Sequence, residues 1–189
     1  MRAIEIMNAR GEVTPSFVNI ATGERVPWPS RHNTLSYDAA KAVAMALGGD
    51  ASLIPDRIGI IFGDEETTSF KTIDRNQTWS ELQEELRELS ADVQIRPFSY
   101  SPSLVSVSKS DTESGWGVVF HSHSDSSTEG AVSSGNIFTS GKYIFQAVLL
   151  HKNSEDYTVL ARVSLISGSK YLQKPENFEV ALDWTVKFF

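Results

Sequence analysis

After residue 90 the chain offers no segment with helical periodicity, only short alternating or apolar stretches between polar turns. YTVLARVSLISG (157–168) and ENFEVALDWTVKFF (176–189) read as strands, and the alternation of apolar and polar residues in TVLARVSLIS, NFEVALDWTVKFF and LVSVS (104–108) gives each one buried face. GWGVVFHSHSD (115–125) and NIFTSGKYIFQAVLLHKN (136–153) read as further strands. Thr139-Ser140-Gly141, Asn153-Ser154 and Ser167-Gly168 supply turns between them. DVQIRPFSYSPSLVSVSKSD (92–111) is extended and punctuated by proline. Several strands at this spacing imply an antiparallel sandwich or barrel-like sheet.

The first half is mixed. AIEIMNARGEV (3–13) alternates until it meets Gly11, and FVNIATGERVPWP (17–29) reads as two short strands around Thr22-Gly23. SYDAAKAVAMALGGD (36–50) is a helix capped by Ser36 or Asp38 and stopped by Gly48-Gly49. Its apolar residues run almost all round, which predicts packing against other protein. RIGIIFG (57–63) is a short buried strand. RNQTWSELQEELREL (75–89) is an amphipathic helix with Thr78 and Glu81 as a capping box. Trp79, Leu82, Leu86 and Leu89 share its apolar face, and Glu84, Glu85 and Glu88 are assigned to a solvated one. The expected fold is mainly β: one antiparallel β-sandwich over 1–189, jelly-roll-like, with two short α-helices inserted in the N-terminal half. A split into a mixed part (1–95) and an all-β part (96–189) is the alternative.

Composition removes several function classes. Seventeen Lys and Arg against 24 Asp and Glu give a net charge of -7, and there is no basic run, which argues against a nucleic-acid surface. The absence of cysteine excludes disulfides and thiolate metal sites. No apolar run approaches a membrane span, and the N-terminal residues lack a signal-peptide core, so synthesis in the cytoplasm is expected.

No catalytic motif assembles. GxxxxGK[ST], GxGxxG and GxSxG are all missing from phosphate-loop or nucleophile-elbow contexts, and Gly48-Gly49 reads as a helix cap. Asp64-Glu65-Glu66 reads as a solvated turn. The sharpest local feature is His121-Ser122-His123 with Asp125, three metal-ligand types that alternate onto one strand face. A metal-dependent hydrolase would draw on these three and on Asp64 or Glu65. A carbohydrate- or receptor-binding sandwich would use Trp116, Tyr100 and the 121–130 loop. The plainer reading of the histidines is a strand end running into a serine-rich tip. Trp79 and Trp184 are expected in the core, whereas Trp116 lies between two glycines.

Two longer stretches carry a resemblance. The first is NTLSYDAAKAVAMALGGDASLIPDRIGIIFGD (33–64). The second is AVLLHKNSEDYTVLARVSLISGSKYLQKPENFEVALDWTVKFF (147–189), with Leu160-Ala161-Arg162-Val163 and a final Asp183-Trp184-Thr185 strand. Both resemble tailed-bacteriophage tail and tail-fibre-associated virion structural proteins. That resemblance implies a non-enzymatic component of the tail, collar or fibre-attachment region, located in the virion. Its implied partners are other virion proteins, further copies of itself in a trimer or hexamer, and host surface glycan. His121 and His123 also resemble the His-x-His pairs of trimeric phage fibres. There, six imidazoles hold one iron, so iron is the implied metal only where three chains meet at this strand.

Overall fold

A computed structural model describes residues 9–66, 70–98, 101–108, 114–123, 142–166 and 170–188. The elements run β1 (Ala9–Asn19), β2 (Arg25–Pro27), β3 (Arg31–His32), β4 (Thr34–Leu35), α1 (Tyr37–Leu47), β5 (Arg57–Gly63), α2 (Trp79–Leu89), β6 (Gln94–Phe98), β7 (Ser101–Ser108), β8 (Ser114–His123), β9 (Tyr143–Lys152), β10 (Tyr157–Ser164), β11 (Leu172–Gln173) and β12 (Phe178–Phe188). They form two antiparallel sheets. The first has the order β2-β1-β12-β8-β7, with β3 also on β1; the second has the order β4-β10-β9-β5-β6, with β11 also on β9. The mainly β sandwich with two short helices expected from the alternation is what forms.

β12 shows why the sheets face each other. Val180, Leu182 and Trp184 are buried, while Asp183, Thr185 and Lys187, of the opposite parity along the strand, are partly exposed. The inward set packs with Val13 and Phe17 of β1, Phe120 of β8, and Ile58, Ile60 and Leu149 of the second sheet. Both halves of the sequence therefore supply this core.

β1 does not break at Gly11. It runs to Asn19 and pairs with β12 along its whole length. Gly11 leaves room for the Asn33 side chain: a Cβ would sit 1.7 Å from Asn33 Oδ1, so that side chain would have to move. Pro15 is tolerated for a separate reason. Its carbonyl accepts the Trp28 N–H, so its ring nitrogen faces β2 and β3 rather than β12. It falls in the gap between those two short strands, where no ladder donor is required.

The helices do different work. α2 covers the outer face of the second sheet, with Leu82 and Leu86 packed on Ile61, Phe145, Val148 and Leu150. β5 and β9 are thereby buried on both faces, which explains their continuous apolar runs. α2 begins at Trp79 because Thr78 and Glu81 form the complete capping box. Thr78→Ala is expected to cost about 1 kcal/mol and to lower Tm by roughly 2–4 °C, read by thermal denaturation followed by circular dichroism.

The expected solvated face of α2 needs correction at Glu85, which is buried and bonded to Arg162 of β10. A β-bulge creates the meeting. Val159 opposes Leu150 and Ala161 opposes Leu149, so Leu160 is an extra residue. The bulge shifts the alternation by one, so Leu160 and Ala161 both enter the intersheet core and Arg162 turns toward α2. The Leu160 carbonyl accepts the N–H of Ser36, which caps α1. One bulge thus aims an arginine and anchors a helix.

Candidate functional site

α1 closes one end of the sandwich. Ala39, Ala42, Val43 and Ala46 recur at helical spacing and face the sheets. Small side chains on the inward face do not fill the space beneath the helix. What remains is a crevice of about 430 Å³, floored by Val118 and Phe120 of β8, Leu149, Leu160 and Val186. That volume lies within the roughly 300–1,000 Å³ of small-molecule sites. Ile54 and Pro55, from the loop after α1, complete the apolar wall. Ala40, Ala46, Ile54 and Arg75 of the lining are exposed, so the crevice opens to solvent.

Arg75 is the one charged side chain in that lining. Its Nε donates to the Leu35 carbonyl at 3.0 Å, and its guanidinium carbon lies 4.9 Å from the centre of the Tyr37 ring. Both contacts hold the cation beside the start of α1. No carboxylate among the described residues pairs with it, and the neighbouring Asp74 carboxylate instead accepts the Asn76 N–H at 2.9 Å.

The second polar arrangement is on the outer face of the first sheet. His121 of β8 lies opposite Asp183 of β12, and His121 Nδ1 is 2.7 Å from Asp183 Oδ1. A carboxylate only accepts, so His121 Nδ1 is the donor in this bond. Arg25 donates to the other oxygen of Asp183 at 2.6 Å. The three side chains are partly exposed and form a polar row running from β2 over β1 to β12 and β8.

The other expected site residues are scattered or not described. The backbone of His123 lies opposite Ala181, and that of Trp116 opposite Phe188 and Ser106. Tyr100 and Asp125 lie outside the described residues, as does most of the 121–130 loop. Asp64 follows β5 in the second sheet and pairs with Lys142; Glu65 and Glu66 are exposed beside it. Among the described residues no group of three or more His, Asp or Glu is placed to hold a metal ion. No described helix is long and apolar enough to cross a membrane.

Sequence reasoning missed Arg75, Arg25 and Asp183. The small-residue period Ala39, Ala42, Val43, Ala46 was the available signal for the crevice. Asp183 had one too, because its neighbour Trp184 is apolar and must face the other way. No protein-family model, no curated protein and no solved structure matches the chain.

Proposed function

We propose that the protein is a non-enzymatic virion structural component of a tailed bacteriophage, working in the tail region by symmetric self-assembly and by binding other virion proteins. One observation carries the reading beyond the sequence resemblance. The helix module within residues 33–64 turns its larger apolar side chains outward: Leu47 is 78% exposed, Tyr37 58% and Ile54 44%. A helix with one buried residue, Ala42, and with its leucine and tyrosine exposed has an apolar surface suited to another protein. Self-assembly as a trimer or hexamer is the form the resemblance implies.

Sedimentation velocity tests it. The wild type is expected to form a defined trimer or hexamer at micromolar concentration, and Leu47→Asp to raise the concentration required at least roughly tenfold. Antibodies to the purified protein are expected to label the tails of virions that encode it. A strictly monomeric protein whose antibodies label no virion overturns the reading.

The polar row of Arg25, Asp183 and His121 supports a second reading, a glycan- or receptor-binding module of a phage adhesion device. Aligned carboxylate, guanidinium and imidazole groups can bond sugar hydroxyls. Binding on a glycan array that disappears in Asp183→Ala is the expected result; a blank array sinks this version.

A further inference from the structure

The crevice beneath α1 shares Ile54 with the exposed apolar surface described above, but neither reading uses its interior. Its walls are aliphatic and aromatic, and an apolar space of this size gives water few partners. One cation stands at the opening. Arg75 has its Nε committed to Leu35 and its plane steadied on Tyr37, so its outer guanidinium nitrogens are pre-oriented donors. No carboxylate among the described residues answers it, in a chain that is otherwise acidic. An apolar slot ending at an uncompensated arginine is complementary to an aliphatic chain with an anionic end.

We propose that this crevice binds a free medium-chain fatty acid, the chain lying between α1 and the two sheets and the carboxylate on Arg75. The alanines at 39, 42 and 46 then have a purpose. Leucine at any of these positions would occupy the space the chain needs, and the helix would close the sandwich by itself. Arg75 rests on the Tyr37 ring, so the site shares Tyr37 with the exposed apolar surface described above.

Calorimetric titration with decanoate, decanol and decylamine, each below its micelle concentration, tests the assignment. Decanoate is expected to bind with one-to-one stoichiometry. Decanol should bind roughly tenfold more weakly, since it lacks the charge-assisted bond, and decylamine more weakly still. Octanoate should lose up to roughly fourfold for each methylene removed from the apolar slot. Arg75→Gln should bring decanoate down to the decanol value while leaving decanol unchanged; Arg75 is exposed, so this variant is expected to fold. Val43→Phe, which fills the slot, should weaken all of these ligands at least roughly tenfold.

Amide chemical-shift changes on adding decanoate should concentrate on α1, Val118–Phe120 and Leu160. Four results overturn the proposal: no decanoate binding to the wild type, equal affinity for decanoate and decanol, a preference that survives Arg75→Gln, or shift changes located elsewhere. Each of these is read on the wild type or on an exposed-site variant, so a Val43→Phe protein that fails to fold does not decide the outcome.

Discussion

Glu85→Ala is expected to cost about 3–5 kcal/mol of folding stability, read as a fall in the urea midpoint at neutral pH. Glu85 and Arg162 are each 2% exposed, and the pair is bidentate, with guanidinium-to-carboxylate distances of 2.9 and 3.0 Å. Gln77 Nε2 donates to the same carboxylate at 2.7 Å and the Lys71 N–H at 3.2 Å. Arg162 also donates to Gln77 at 2.6 Å and to Gln146. Removing the carboxylate leaves a guanidinium under α2 with its main partner gone. The size of that loss comes from the stranded charge, and the net contribution of the intact pair is much smaller.

The double variant Glu85→Leu, Arg162→Met should therefore recover much of the deficit. It should retain a residual cost of about 1–3 kcal/mol, because Gln146 is buried and loses its donor. Adding Gln146→Leu should relieve that residue. A double variant as unstable as either single one would show that packing, and not charge compensation, holds α2 to the sheet.

The same pair makes a pH prediction. Burial opposes ionisation of Glu85 and is the largest single influence on it. The hydrogen bonds from Arg162 and Gln77, the Arg162 charge and the Lys71 amide together outweigh burial and hold the carboxyl below its usual value. A depressed folded-state value means that the contribution is complete above the unfolded glutamate value of about 4.3. It is lost as pH falls through the folded value. Thermal melts of the wild type should lose stability below about pH 4.3, and Glu85→Gln should flatten that part of the profile.

Glu85 also marks where the sequence misleads. Its spacing from Leu82, Leu86 and Leu89 places it on the apolar face of α2, as the structure does. Residue type argued the other way, because glutamate is almost never fully buried without a partner. That partner, Arg162, was hidden by the bulge at Leu160. Strict alternation along β10 sends Arg162 into the intersheet core, and nothing local announces the extra residue. β12 and the start of α2 were legible for the opposite reason. Alternation from Val180 to Lys187 and the Thr78–Glu81 box are local patterns with one physical meaning each. The candidate sites fall between these cases. The α1 helix was expected to pack against other protein because its apolar residues run almost all round, yet Ala42 is its one buried residue, and which side held the small residues depends on how the helix meets the sheets. His121 was singled out for His123 and Asp125 along its own strand, whereas its observed partner Asp183 lies across the ladder on β12. Cross-strand neighbours follow from register, and register is a tertiary property.

Trp184→Ala is expected to be comparably damaging, at about 3–5 kcal/mol, with a fall in Tm on the order of 10 °C. Trp184 is fully buried on β12, the strand between β1 and β8, and stands opposite Val13 and Phe120. Truncation removes the largest side chain in the intersheet core. The β12 backbone is held by ladders on both sides, so the cavity has little freedom to collapse. The indole N–H finds no hydrogen-bond acceptor among the described residues. Trp184 therefore contributes through shape and apolar area, and an unpaired donor subtracts from that contribution. It follows that Trp184→Phe should be tolerated far better, within about 1.5 kcal/mol of the wild type, since it keeps an aromatic ring and removes the unpaired donor. Urea titrations of the two variants decide the matter. A phenylalanine variant as unstable as the alanine one would mean that the indole N–H has a partner after all. Phe120 both opposes Trp184 and floors the crevice beneath α1, so the alanine variant should also loosen that floor. Decanoate affinity in Trp184→Ala is then expected to fall, even though Trp184 itself is not part of the crevice lining.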